Sequence, residues 1–430
     1  MSSYKVSQNS VITSVFGNRS FLTCGGTNIN TPKNSTPWAD FDVTPKKFAF
    51  IFNSTKFSTT TTKPIVKGYN STATTITTIK NLLHDGANIE YICGTFSLTT
   101  PTRNNIMYIN PNISDVTGNA DFLSLSNIVF TGTNNTVNCM AFGTTDKSRI
   151  YIAGNFTNAS IGTTSSPTVK NIALLNKAGS VFTIVNTIPA NAVINASNTI
   201  INSMIVIGSK LYVAGTDGTN CLFYSYNIGG TTAGSWTNLL IGGPYIGTIN
   251  ILQFIIGKNN IAIGGQFVNL GTATGCNNIV LYIPSSSTWT ALGSGVTGTG
   301  ASASAPWGVA QVFALSYIQS KNILWVGGYF LNGNGSEKNS IATVNLATYT
   351  WDVVKKLGSA VIGLKYFDGT DQPGVVYCFT QGPIDTANVV VGGSFITTST
   401  KTSTNMYNLA KITLATPESN RTTEYNINSI

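Results

Sequence analysis

The chain has 430 residues, 42% hydrophobic and 10% aromatic, which is ample material for a core and excludes a disordered chain. Only 9% are charged, against roughly 25% in a typical soluble protein; Thr, Ser, Asn and Gly take their place. The net charge of +9 rests on Lys far more than on the four Arg (Arg19, Arg103, Arg149, Arg421), with doublets only at Lys46-Lys47 and Lys355-Lys356, so the linear sequence shows no basic cluster and nucleic acid is not an expected partner.

From the start of the chain, Met1–Ser7 has no apolar core of the secretory kind, so no signal peptide is expected. No apolar run reaches the ~20 residues of a membrane span. The first repeated stretch is Phe21-Leu22-Thr23-Cys24-Gly25-Gly26. It returns as Tyr91-Ile92-Cys93-Gly94-Thr95-Phe96, as Tyr151-Ile152-Ala153-Gly154-Asn155-Phe156, and as Leu211-Tyr212-Val213-Ala214-Gly215-Thr216. The sharpest copies come last: Ile261–Phe267, Leu324–Phe330 and Val389–Phe395, each with a Gly-Gly doublet. A period of this length points to repeated supersecondary units.

Each copy sits in a recurring order of four short strands rich in Val, Ile, Thr and aromatics. An apolar strand precedes the copy: Val11–Phe16, Asn81–Leu83, Val137–Phe142, Ile201–Ile207, Ile249–Ile255, Val309–Leu315 and Val375–Thr380. The copy ends on Gly, where the backbone requires positive φ or close approach. A third strand follows a variable loop: Phe48–Phe52, Ile106–Ile109, Ile172–Leu175, Leu222–Tyr226, Ile279–Ile283, Ile341–Leu346 and Leu409–Leu414, several opening on Asn (Asn171, Asn278). A fourth carries an aromatic: Phe57, Phe122, Phe182, Trp236, Trp289, Trp351 and Tyr425. The nearest helical candidate, Lys80–Asp85, is short.

Four strands repeated about seven times predict an all-β fold, a β-propeller of four-stranded antiparallel blades, most simply seven. A lone four-stranded sheet cannot bury both faces, whereas radial packing of neighbours does. The expected organisation is one domain over residues 1–430, with approximate blades 11–75, 76–130, 137–190, 200–243, 247–300, 305–360 and 374–430. Small residues at Cys24, Cys93, Ala153, Ala214, Gly264, Gly327 and Gly392 suit the narrow inner region, and the aromatics are expected to fill the gaps between blades. For ring closure, Thr423–Asn428 supplies the last outer strand, or Tyr4–Ser7 pairs there as a latch.

Tyr282 and Trp289 stand seven apart after Gly264-Gly265, and the pairs Leu175/Phe182 and Val344/Trp351 keep that separation. This pattern resembles the kelch repeat and the central propeller of galactose-oxidase-like proteins. Trp289-Thr290-Ala291-Leu292-Gly293-Ser294-Gly295-Val296 after Gly-Gly-x-Phe is similar to fungal cortical cell-polarity-marker propellers. The resemblance is sharp for residues 247–360 and around Gly392; the first, second and fourth blades depart from it.

Chemistry is sparse. Galactose-oxidase-like copper sites imply two His ligands, and this chain has only His84, placed by Leu83-His84-Asp85-Gly86 in a strand-to-strand turn. Ser287-Thr288-Trp289 resembles the end of a sialidase box but lacks its Asp and Gly. No carboxylate pair suits a glycosidase, and no P-loop, G-x-S-x-G or H-E-x-x-H is present. Asp368-Gly369-Thr370-Asp371 offers oxygens of the kind that ligate Ca²⁺, but an ordinary acidic turn is the preferred reading. The six Cys lie far apart, outside any disulfide or zinc spacing, and read as buried thiols. About eleven Asn-x-Ser/Thr sequons match chance.

No catalytic, cofactor or metal residues are therefore assigned, and an enzyme is not expected. Propellers present function on their loops, and the long insertions are Asn28–Lys46, Asn158–Lys170, Gly295–Pro306 and Thr397–Tyr407. The reading is a structural or interaction protein of a virus particle (minor capsid or fibre-associated, of a large DNA virus) or of an extracellular surface. It rests on the nearly uncharged surface and on Lys-, Asn- and Ile-rich usage typical of an AT-rich genome. Protein partners through the loop faces are expected, capsid or surface proteins among them, with a glycan as a further candidate. The alternatives are an intracellular kelch-like adaptor, or a carbohydrate-binding propeller.

Overall fold

The computed structural model describes residues 11–17, 21–27, 50–53, 66–68, 75–84, 90–99, 102–109, 122–124, 128–131, 135–143, 147–161, 169–178, 181–185, 188–229, 234–298, 309–354, 363–364, 373–381, 388–396, 407–414 and 425–428. Among them helix is confined to one 3₁₀ turn, Gln319–Lys321, and the remainder is strand and turn.

Seven four-stranded antiparallel sheets account for most of these residues, each with its strands side by side in chain order. Sheet one is Val11–Gly17, Phe21–Thr27, Phe50–Asn53 and Val66–Gly68. Sheet two is Thr75–His84, Glu90–Thr99, Thr102–Ile109 and Phe122–Ser124. Sheet three is Thr136–Phe142, Arg149–Asn155, Ile172–Ala178 and Val181–Val185. Sheet four is Ile200–Ile207, Lys210–Thr216, Cys221–Asn227 and Thr237–Asn238. Sheet five is Thr248–Ile255, Asn260–Gln266, Ile279–Ile283 and Thr288–Ala291. Sheet six is Gln311–Ile318, Ile323–Tyr329, Ile341–Asn345 and Thr350–Val353. Sheet seven is Val375–Gln381, Asn388–Ile396, Tyr407–Leu414 and Tyr425–Asn428. The chain divides into two compact units, Tyr69–Leu252 and Met1–Gly68 with Gln253–Ile430.

Within the Tyr69–Leu252 unit, sheet three shows how a strand period of two builds the core. Ile150, Ile152, Ala173, Leu175 and Phe182 point to a buried cluster with Tyr91, Cys93 and Ile106 of sheet two. Their alternates Tyr151, Ala153, Ile172 and Leu174 point the other way, to Ile201, Met204, Leu211 and Leu222 of sheet four. Both faces are thus consumed, and each fully buried Ile or Leu contributes about 1.5–3 kcal/mol. In the other unit the same arrangement joins Trp325 and Ile341 of sheet six to Val376, Val389, Val391 and Phe395 of sheet seven.

The repeated glycine has one physical reason. In six sheets the first strand carries a β-bulge at a constant place, with one extra residue: Thr13, Lys80, Asn138, Asn202, Phe313 and Tyr377. The residue before the bulge lies opposite a glycine of the second strand. A Cβ on that glycine would meet the first-strand carbonyl at 2.0 Å for Gly154 (Thr136 O), 1.9 Å for Gly215 (Ile200 O), 2.1 Å for Gly328 (Gln311 O) and 2.0 Å for Gly393 (Val375 O). Close approach, not positive φ, selects glycine here; none of the four has φ above zero. One residue earlier the strand faces a neighbouring sheet, and a Cβ on Gly327 would lie 2.4 Å from Val376 and 2.6 Å from Phe379.

Register corrects several expectations. Gly25 and Gly26 lie opposite Ser14 and Ile12, so Gly25, not Cys24, holds the small-residue position in sheet one. Cys93 does hold it, opposite Asn81. The strand expected at Asn81–Leu83 is present and longer, Thr75–His84, because pairing with Glu90–Thr99 extends it; Asp85 lies outside the described residues. His84 is the last residue of that strand, opposite Glu90, rather than part of the turn. The fourth strand of sheet one is Val66–Gly68, which has no aromatic; Phe57 lies outside the described residues. Tyr282 and Trp289 are direct cross-strand neighbours, as are Val344 and Trp351. Leu175 and Phe182 are not, because the hairpin there is tight and Phe182 falls opposite Lys177. Tyr425–Asn428 completes sheet seven from within the same repeat; Tyr4–Ser7 lies outside the described residues.

Candidate interaction surface

Asparagine does much of the binding together of repeats, by two devices. The first uses the bulge. The extra residue Asn138 donates from Nδ2 to Ile201 O (3.0 Å), and Asn202 donates to Ile249 O (3.0 Å) and Thr248 Oγ1 (3.1 Å). Each side chain therefore reaches the first strand of the next sheet, at the residue preceding that strand's own Asn (Asn202, then Asn250). In the other unit two of the matching residues are aromatic, and the Phe313 and Tyr377 rings lie 5.3 Å apart.

The second device opens the third strand. Asn105, Asn171, Asn278 and Ser340 have φ of 61°, 61°, 72° and 69°, a left-handed conformation that Asn tolerates best among residues with a side chain. All four are buried. Asn278 accepts from Phe267 N (2.9 Å) and donates to Val296 O (2.8 Å). Asn171 accepts from Phe156 N (3.3 Å) and donates to Ile194 O (2.9 Å) and Ala196 O (2.8 Å). Main-chain bonds repeat around them: Gly154, Gly265 and Gly328 N–H groups donate to the carbonyls of Asn171, Asn278 and Ser340. Each clamp ties the end of the second strand to the segment that leads into the next sheet.

In sheets three and five these clamps stiffen one end, where the second strand finishes and the fourth departs. Small accessory sheets add to it: Asn158–Ile161 pairs with Ile128–Thr131, and Val296–Thr297 joins the hairpin of Asn332–Gly333 and Ser336–Glu337. That hairpin turns on Asn334-Gly335, and Asn334 Oδ1 accepts from Ser294 N (3.1 Å). So the parts of the predicted insertions that are described, Asn158–Ile161 and Gly295–Gly298, belong to this rim; Asn28–Lys46 and residues 397–406 lie outside the described residues.

In the Tyr69–Leu252 unit the rim carries an ordered apolar turn. Cys221 N donates to Tyr245 O (2.8 Å), Gly247 N to Thr219 O (2.9 Å), and Tyr245 OH to Ile241 O (2.9 Å). The bonds fix Ile241–Gly247 against the end of Lys210–Thr216, yet Ile241 is 79% and Ile246 77% exposed, with exposed Pro244 between them. Beside it, Asp217 closes the turn Asp217–Asn220. Burial works to raise its carboxyl, but the Asn220 and Thr219 N–H donors outweigh it and hold the group below the usual carboxylate range.

Trp236 packs against the core between sheets three and four, as expected of a fourth-strand aromatic, while Trp289 and Trp351 serve as covers. Trp289 and Trp351 lie over glycines in the loops of their own sheets: a Cβ on Gly271 would meet Trp289 at 2.3 Å, and one on Gly333 would meet Trp351 at 3.0 Å. Trp351 Nε1 donates to Leu292 O (3.1 Å), and Trp236, just ahead of its strand, to Pro189 O (3.0 Å). Phe182, by contrast, is buried between sheets two and three as expected.

Among the described residues no His, Cys, Asp and Glu cluster could hold a metal, and no helix is long and apolar enough to cross a membrane. Asp368–Asp371 lies outside the described residues. Lys338 is buried, its ammonium lowered by that burial against the opposing pull of Asp352, and Nζ donates to Ser336 Oγ (2.5 Å). Burial raises the thiols: Cys93 and Cys139 well above their ordinary value, Cys276 up to about 11. Burial likewise raises Tyr151 to about 12.

A titration follows from these shifts. An acid whose folded pKa lies above its unfolded pKa stabilises the fold fully below the unfolded pKa and loses that contribution as pH rises through the folded one. The contribution of these groups should accordingly be level up to about pH 8.5 and fall from there through about pH 11 and beyond. Urea midpoints at pH 7, 9 and 10.5 check this; equal midpoints would contradict buried thiols.

No protein-family model matches the chain, and no curated protein matches it in sequence. Among solved structures it is similar to the GH74 xyloglucanase of Xanthomonas campestris, with a TM-score of 0.54, 11% identity and coverage of 99% of this chain and 55% of that one. It is similar to the outer coat vertex of COPII on membranes (TM-score 0.52, 9% identity, 99% and 89% covered). A third match is the Swd1 β-propeller domain of Myceliophteria thermophila (TM-score 0.46, 8% identity, 91% and 95% covered). The chain thus spans about half the length of the xyloglucanase. At such identities the likeness concerns the fold alone, and with the repeated sheets it makes this chain a β-propeller of four-stranded antiparallel blades.

Proposed function

We propose that this propeller is a non-enzymatic structural and interaction module, a component of a virus particle (minor capsid or fibre-associated) or of an extracellular surface, that meets protein partners through its loop rim. The observation that carries the reading is the turn Ile241–Gly247, where bonds hold two isoleucines more than three-quarters exposed. A soluble monomer gains nothing by fixing apolar side chains in water, whereas a contact surface does. The asparagines are spent on joining sheets, which supports a scaffold rather than a reaction centre. The low charge and the AT-rich residue usage support the particle setting. A kelch-like repeat is supported at Tyr282/Trp289 and Val344/Trp351, where the spacing matches true cross-strand pairs.

Cross-linking mass spectrometry on the protein in its source assembly tests the rim. Partner cross-links should include Lys170, which is partly exposed at the rim end. No partner cross-link at Lys170 would count against it.

A further inference from the structure

The opposite end of the Tyr69–Leu252 unit has its own chemistry. Arg149 and Lys210 are the first residues of the second strands of sheets three and four, at one and the same register position: each is four residues before the small residue, Ala153 or Ala214. Their cross-strand partners are Asn176 and Asn227. Both cations are exposed. Lys147 stands in the turn beside Arg149, its Nζ 5.8 Å from the centre of the Phe142 ring. Lys177 follows Asn176, and its Nζ lies 3.2 Å from Tyr91 OH and 5.9 Å from that ring.

The backbones bearing these charges are fixed. Gly143 N donates to Arg149 O (2.8 Å), Lys177 N to Ser148 O (2.7 Å) and Ile228 N to Ser209 O (2.8 Å). Among the residues whose side chains are described, no carboxylate pairs with any of the four cations; Glu90 opens the second strand of sheet two, and Asp85 lies outside the described residues. Asp146 shares the Lys147 turn in sequence and lies outside the described residues.

We infer that the hairpin-turn end of sheets three and four is a docking surface for an acidic polypeptide segment. The charge is cationic and preset by the fold. Three of the four groups are lysines, which act as point charges rather than as the planar forks suited to phosphate. The aromatic rings nearby are not offered for base stacking: Tyr151 is 3% and Tyr226 7% exposed, and Phe142 lies under Lys147. Single-stranded nucleic acid requires such platforms. The surface stands about 20 Å along the strand from Ile241–Gly247, so it adds a second contact and does not depend on the rim reading.

Fluorescence anisotropy with a labelled 20-residue polyglutamate peptide tests this, in 50 mM and 200 mM salt. The natural chain should bind the peptide, more weakly in the higher salt. The variant Arg149→Glu/Lys210→Glu should bind about tenfold more weakly, while Lys258→Glu/Lys321→Glu, with the same change in charge at exposed positions of the other unit, should bind like the natural chain. Thermal melts of both variants confirm that they are folded. No binding, equal loss in both variants, or tighter binding of a 20-nucleotide oligo(dT) than of the peptide would each overturn the inference.

Discussion

Gly328→Ala should destabilise the protein by about 3–5 kcal/mol, a loss outside the usual range for adding one methyl group. The new Cβ would sit 2.1 Å from Gln311 O and 2.9 Å from Val312 Cα, both backbone atoms, so no side chain can rotate away. The first strand of sheet six would have to leave its bulge, and the ladder bonds between Gln311 and Tyr329 and their neighbours would open. Gly208→Asn makes the comparison. Gly208 has φ +57°, and a Cβ there would find nothing within 4 Å. Asn accepts that conformation, so its cost should stay below about 1 kcal/mol. Equal urea midpoints for the two variants would show that close approach at the bulge is not what holds glycine in the repeat.

Asn278→Ala should cost a similar amount, roughly 3–4 kcal/mol, for a different reason. The side chain satisfies the Phe267 N–H and the Val296 carbonyl in a buried setting, and leaving either without a partner costs about 1–3 kcal/mol. Alanine must also hold φ 72°, a further cost of about 1 kcal/mol. Asn278→Gly loses the same bonds but tolerates the backbone, so it should recover about 1 kcal/mol relative to alanine. The two measured together separate bonding from conformation. If both variants unfold within about 0.5 kcal/mol of the natural chain, the clamp does not hold the repeats.

The order of strands is legible in the sequence because hydrophobic pattern and turn residues recur in every repeat, and local pattern reports strand existence well. Positions within the ladder are not. A bulge adds a residue with no mark in composition, and Thr13, Lys80, Asn138, Asn202, Phe313 and Tyr377 share no side-chain type. For the same reason the repeat pattern aligns Cys24 one place from the Gly25 that meets the bulge. The Asn that opens the third strands is visible at Asn171 and Asn278, but its purpose depends on carbonyls of the following segment, Ile194, Ala196 and Val296. Charge is the least legible. Arg149 and Lys210 lie far apart in sequence and reach one end of their unit only because two repeats share a register. The tryptophan spacing is readable as a pair, yet the glycines it covers, Gly271 and Gly333, lie in loops whose paths the sequence leaves open.

The native mass of the protein isolated from its source bears most directly on the proposed role. Size-exclusion chromatography with light scattering should find it in an assembly many times its own 45.5 kDa, with recombinant protein alone eluting as a much smaller species. A source-derived protein that runs free at 45.5 kDa would contradict a structural component, and the exposed rim would then need a transient partner instead.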